Sequence, residues 1–246
     1  MDARRKIRIL HTSDIHLDND IGSGAQRSAA QIGLESIVDA AIDQSVDLVL
    51  LAGDLFDHNR IKKPCLSFVD EQFSRLECPL VMISGNHDCL ADYSIYTSYD
   101  PEKASSHITF LREEEGAVCF FEDLGLTVWG RGIVEHHPGH KPLSNVPVNN
   151  VDGWYIGLTH GYCVERELQS FSSLITPEEI ISSEFDYLAL GHVHVFSVMN
   201  HGVTTAVYPG SPNSNLGVNE MSAALVELDP ERGVAVSKYE LSPRPF

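Results

Sequence analysis

Five short apolar runs in this chain each end in a cluster of Asp, His or Asn, and this pattern limits the possible folds more than any bulk property. Ile7–His11 leads into Asp14-Ile-His16. Asp47–Ala52 leads into Gly53-Asp54-Leu-Phe-Asp57, and Pro79–Ser84 into Gly85-Asn86-His87-Asp88. Further on, Trp154–Thr159 leads into His160-Gly161, and Tyr187–Leu190 into Gly191-His192-Val-His194. Short apolar runs bounded by glycine have the length and composition of strands covered on both faces. Ligands of open α/β sheets bind at the carboxyl ends of the strands. Five such ends meeting at one rim would make a polar pocket lined with metal donors.

The segments between these runs complete an α/β pattern. Ala30, Leu34, Ile37, Val38 and Ala41 recur at helical spacing, and Pro64–Leu76 reads as a second helix with proline in its first turn. The second half is richer in strands, with Val118–Phe121 and Leu126–Gly130 ahead of the last two clusters. Val195–Met199 and Thr204–Tyr208 flank Asn200-His-Gly202, a hairpin signal. Ala223–Leu228 and Val234–Tyr239 form another expected pair. A βαβα start with a strand-rich end predicts two sheets packed face to face with helices outside.

The donor types define the chemistry. Imidazole and carboxylate without thiolate suit manganese, iron, zinc or nickel rather than soft metals or clusters. Asp54 has two carboxylate oxygens and can bridge two cations. Glycines at 53, 85, 161 and 191 allow the tight turns needed beside an ion. A lone Asp-x-His is more often a turn or helix cap than a ligand pair. Five clusters in order, each after a strand, are hard to reach by accident, and together they point to a metal site.

The ordered set Asp14-x-His16, Gly53-Asp54-x-x-Asp57, Gly85-Asn86-His87-Asp88, His160 and Gly191-His192-x-His194 resembles the calcineurin-like metallophosphoesterases over residues 7 to 212. Within that superfamily His11–Leu17, Gly53–Asp57 and Tyr208-Pro-Gly-Ser-Pro212 look most like the SbcD-type DNA repair exonucleases. The resemblance implies a four-layer αββα sandwich of two mixed sheets. It also implies two divalent ions, one held by Asp14, His16, Asp54 and His194 and the other by Asp54, Asn86, His160 and His192. Manganese is the expected ion, and iron, zinc or nickel fit the same donors. His87 would be the non-ligand catalytic histidine, and Asp57 the carboxylate that orients it. The alternatives are a structural or ligating role for His87, and a turn or helix-cap role for Asp57. The expected reaction is hydrolysis of a phosphodiester by in-line attack of a metal-held hydroxide, with a general acid protonating the leaving group.

Composition bears on the substrate and the compartment. Seventeen Lys and Arg against 35 Asp and Glu give a net charge of -18, which argues against tight nonspecific nucleic-acid binding by this chain alone. Arg60, Lys62 and Lys63, just past the Asp57 loop, form a local exception that reads either as a phosphate-binding patch or as a solvated helix start. Five cysteines without a CxxC pair argue against a disulfide framework or a structural zinc site. Neither the charged start nor the longest apolar run, Leu48–Ala52, is long enough for a leader or a membrane span. A single cytoplasmic domain over residues 1–246 is therefore expected, with no separate capping domain and no membrane partner. The expected function is a phosphodiesterase, extending to an SbcD-type nuclease with an SbcC-like ATPase partner. Two alternatives are a small-molecule phosphoesterase acting on nucleotides or cyclic nucleotides, and a non-catalytic metal-binding scaffold. The histidines of Glu135-His-His-Pro-Gly-His140 read as a lid, a third ion site or a surface loop.

Overall fold

The computed structural model describes residues 4–22, 26–150, 152–166 and 171–242. In chain order its elements are β1 (Ile7–Thr12), α1 (Ala29–Asp43), β2 (Leu48–Ala52), α2 (Lys63–Phe73), β3 (Leu80–Ile83), α3 (Pro101–Ala104) and β4 (Ile108–Phe110). Then come β5 (Ala117–Phe121), β6 (Leu126–Arg131), β7 (Trp154–His160), β8 (Tyr162–Cys163), β9 (Leu174–Ile175) and α4 (Pro177–Ser183). The chain continues through β10 (Tyr187–Gly191), β11 (Phe196–His201), β12 (Thr204–Pro209), β13 (Ser222–Asp229) and β14 (Gly233–Glu240).

Two six-stranded mixed sheets carry the fold, in the orders β14-β13-β1-β2-β3-β4 and β11-β12-β10-β7-β6-β5. In the first sheet β1, β2, β3 and β4 run parallel, as β6, β7, β10 and β12 do in the second. The alternation within β2 shows how the layers form. Leu48, Leu50 and Ala52 pack with Ile156, Leu158 and Ala189 of the second sheet, while Val49 and Leu51 pack with Leu34, Ile37 and Phe68 of α1 and α2. On the far face of the second sheet, Leu188, Leu190 and Ala206 pack with Tyr155 of β7, with Ile180 of α4 and with Phe185 just after that helix. The result is the expected αββα sandwich. Each fully buried Leu or Ile in it contributes about 1.5–3 kcal/mol.

Local chemistry sets the helix starts. Ser28 caps α1 in a capping box with Gln31, and Thr176 and Glu179 do the same for α4 with Pro177 in the first turn. The β11–β12 hairpin pairs His201 with Thr204, which places its turn at Gly202-Val203, one residue later than the Asn200–Gly202 signal suggests. All five cysteines are free thiols. Among the described residues no helix is long and apolar enough to cross a membrane.

Candidate metal centre

The carboxyl ends of β1, β2 and β3 meet those of β7 and β10 at one edge of the sandwich. Asp14, Asp54 and His160 are buried there, and His16 is 6% exposed. The loops after β1 and β2 are zipped together: Asp14 N–H donates to Gly53 O (3.1 Å), and Ile15 and His16 N–H both donate to Asp54 O (2.9 and 3.1 Å). Asp14, His16, Asp54 and His192 all hold φ between 53° and 100°, the left-handed region that non-glycine residues avoid. Such strain persists only where the surroundings over-determine it, and it concentrates at functional sites.

Asp54 lies between the two sheets. Its Oδ2 is 3.6 Å from His16 Nε2 on one side and 3.5 Å from His160 Nε2 on the other. Asp14 Oδ1 lies 3.5 Å from His194 Nε2 and 3.8 Å from His16 Nε2. Asn86 Oδ1 lies 3.0 Å from both His160 Nε2 and His192 Nδ1, so these three donors also converge on one point. The structure therefore brings together all seven residues expected to line a metal site.

Two observations show that the set fits cations. His16 Nε2 is buried with no hydrogen-bond partner and faces Asp14 and Asp54, as a ligating nitrogen would. Its Nδ1 is 3.1 Å from Asp57 Oδ1, the carboxylate contact that fixes the ring of a metal-bound histidine. Likewise His160 Nδ1 donates to Ala52 O at 2.8 Å, leaving Nε2 for the centre. The electrostatics agree. Burial and the neighbouring Asp14 push the Asp54 carboxyl well above its usual range. Burial pulls the His16 pKa down, but Asp14, Asp54 and Asp57 outweigh it and raise it to about 9. Burial, reinforced by His160, lowers His192 to about 4. Two carboxylates crowded without solvent need positive charge between them.

His87 stands at the exposed edge of the centre, with its ring 4.5 Å from that of His16. Its Nδ1 lies 2.8 Å from the Asp57 carbonyl oxygen and 3.4 Å from the Asp57 carboxylate. Arg60, Lys62 and Lys63 lie exposed beyond Asp57, with no carboxylate partner among the described residues.

Several supporting residues carry no role in the sequence reading. Asp88 is fully buried and accepts from Leu55, Phe56 and Gly85 N–H and from the Tyr96 hydroxyl, tying the β2 and β3 exits together. Ser13 donates to the Asp14 carboxylate, Ser211 Oγ to Asp14 O (2.7 Å) and Asn213 Nδ2 to Ile15 O (3.0 Å). The Tyr208–Pro212 segment thus underpins the β1 exit loop. In the 135–140 loop, His140 is buried and its pKa is lowered to about 4, first by burial, while His136 Nε2 lies 2.5 Å from Ser172 Oγ. Among the described residues every cluster of three or more metal donors lies at the centre itself, and none includes a histidine of that loop.

This fold and donor set belong to a known family. The calcineurin-like phosphoesterase family matches residues 7–196, and the chain is a member of it: a metal-dependent hydrolase of phosphate esters. The metallophosphoesterase YhaO of Bacillus subtilis is 28% identical over 229 residues, covering 83% of this chain and 53% of that protein. The SbcD component of the SbcCD nuclease from the same organism is 24% identical over 242 residues, covering 84% of this chain and 61% of its own length. The chain spans about half the length of the curated relatives it matches. A dimetal phosphatase from Danio rerio shares the fold at a TM-score of 0.58 and 12% identity, covering 97% of this chain and 99% of that one.

Proposed function

We propose that the chain is a phosphodiesterase working through two divalent cations, with manganese the expected ion. The observation that carries this reading is the Asp54 carboxylate oxygen set 3.5–3.6 Å from one histidine nitrogen of each sheet, where it can bridge two ions. Asp14, His16, Asp54 and His194 would hold one ion, and Asp54, Asn86, His160 and His192 the other. When bound, such a pair lowers the pKa of a nucleophilic water and neutralises charge on the phosphoryl oxygens.

The chain's own groups supply the rest. His87 Nδ1–H donates to the Asp57 carbonyl, so its Nε2 can carry a second proton toward the leaving oxygen. The Asp57 carboxylate, 3.4 Å from the same nitrogen, helps to hold the ring in that orientation. His194 and His87 are part-exposed and leave the centre open on their side, while buried His160 and Asp14 close the floor.

Two features support extending the reading to nucleic acid: the likeness to a nuclease component, and the exposed cations Arg60, Lys62 and Lys63, which follow Asp57 in the chain and have no carboxylate partner among the described residues. An SbcC-like ATPase partner belongs to that extension. The net charge of -18 favours the second reading, a phosphoesterase of nucleotides or cyclic nucleotides. Manganese-loaded protein should hold two ions per chain by elemental analysis, and Asp54→Asn should lose both. A variant that retains two would refute the bridge. Assay on single-stranded DNA, DNA ends and cyclic nucleotides at low salt separates the substrates, since turnover of nucleotides with intact DNA selects the small-molecule reading.

A further inference from the structure

We infer that Tyr162 is a stacking platform for a nucleobase at the rim of the metal centre, so that the phosphoester taken is a nucleotide one. The inference rests on the phosphoesterase reading above and names its substrate class. Tyr162 lies on β8, two residues past His160, with its ring centroid 6.2 Å from that of His192 at an interplanar angle of 79°. That offset is about the span of one sugar unit, which is what separates a base from its own phosphate.

The ring has no structural task to explain its position. It is 49% exposed, and its hydroxyl has no hydrogen-bond partner among the described residues. The tyrosines of the neighbouring strands differ: Tyr155, Tyr187 and Tyr208 are buried, and their hydroxyls meet Pro147 O, His11 Nδ1 and Gly161 O. The backbone under Tyr162 is nevertheless locked. Its N–H donates to Ser173 O at 2.8 Å, Gly161 N–H donates to Gly191 O at 3.2 Å, and Cys163 N–H donates to the Tyr208 hydroxyl at 2.8 Å. A planar ring on a rigid backbone, half in solvent beside the centre, can stack with little loss of freedom on binding. His136, tied to Ser172 next to Ser173, adds an exposed imidazole to the same rim. The cations Arg60, Lys62 and Lys63 follow the Asp57 loop in the chain, whereas the ring beside His192 is that of Tyr162.

Stacking of a base on an aromatic side chain is worth about 1–3 kcal/mol, or about 5- to 150-fold in affinity. Calorimetric titration of manganese-loaded protein with AMP and with ribose 5-phosphate reads this directly. Wild type should bind AMP tighter by a factor in that range. Tyr162→Ala should bring AMP down to the affinity of ribose 5-phosphate and leave the latter unchanged, and Tyr162→Phe should keep the preference. Equal binding of the two ligands by wild type would overturn the inference. So would a preserved preference in Tyr162→Ala, or a parallel loss for both ligands. Hydrolysis of a bis-nitrophenyl phosphate is measured alongside. Turnover of that ester without a base preference sinks this inference alone, whereas neither turnover nor binding sinks the phosphoesterase reading with it.

Discussion

At the exposed edge of the centre, the Asp57 carboxylate lies 3.1 Å from His16 Nδ1 and 3.4 Å from His87 Nδ1, while the Asp57 carbonyl oxygen takes the 2.8 Å contact with His87. Removing each side chain should therefore have a different consequence. His87→Ala leaves the seven proposed ligands in place, so metal content should be unchanged. Turnover of an ester with a poor leaving group should fall by roughly 10²- to 10⁴-fold, and that of a nitrophenyl ester much less, because a good leaving group needs no proton. Equal losses on both esters would remove His87 from the proton-donor role. Asp57→Asn keeps the backbone contact to His87 but removes the charge behind His16. It should weaken one metal ion by about 10- to 100-fold, the usual cost of losing a carboxylate behind a ligating histidine. Metal titration of the two variants checks the contrast, and unaltered affinity in Asp57→Asn would show that the His16 contact is incidental.

The exits of β1, β2 and β3 work as one braided element, since each loop's amides are satisfied by the next loop's carbonyls or by Asp88. Glycine is required where the braid is tightest. A Cβ on Gly85 would fall onto the Asp54 carboxylate and within 2.6 Å of the Asp54 backbone nitrogen. Gly85→Ala should therefore displace Asp54, costing about 1–3 kcal/mol in unfolding free energy, with metal uptake lost well before the fold. Denaturant melts paired with metal titration check this, and undisturbed uptake of both ions would show that the loop can yield. Much of this element is legible in the sequence, because polar donors after apolar strands stand out against their surroundings. The cross-braces are not. Asp88, Ser211 and Asn213 act on loops far away in the chain, and only the packing shows which backbone atoms they reach. Strands β8 and β9 have two residues each, too few for any period to register. α4 did carry a start signal in Thr176-Pro-Glu-Glu179, but its seven residues hold too short an apolar stripe to read as a helix.

Over the whole molecule, the buried titratable groups divide into two sets with opposite pH responses. Burial lowers His11 to about 3 and His140 to about 4, below the ordinary histidine value of 6.5. Stability from these groups is present above pH 6.5 and is lost as pH falls toward 4, because the unfolded chain takes up protons that the fold refuses. His16 runs the other way. With its pKa raised to about 9 against 6.5 unfolded, its contribution is present below pH 6.5 and lost as pH rises through 9. That loss is on the order of 3 kcal/mol for this one group. Asp54, also raised, acts in the same sense, losing its contribution as pH rises above the ordinary carboxyl value of 3.8, since burial and then Asp14 disfavour its charged form. Metal-free protein should therefore be most stable near pH 6.5 and should melt progressively lower toward pH 9. Bound cations require His16 neutral and Asp54 ionised, so loading at pH 7 should release protons and should flatten the alkaline limb. The measurements are thermal melts from pH 5 to 9 with chelator and with excess manganese. Calorimetric titrations of the metal in two buffers of different ionisation enthalpy then count the protons released. A chelated protein whose melting point stays level from pH 6.5 to 9, or metal uptake that releases no protons, would show that the carboxylates do not hold the charge the buried geometry assigns them.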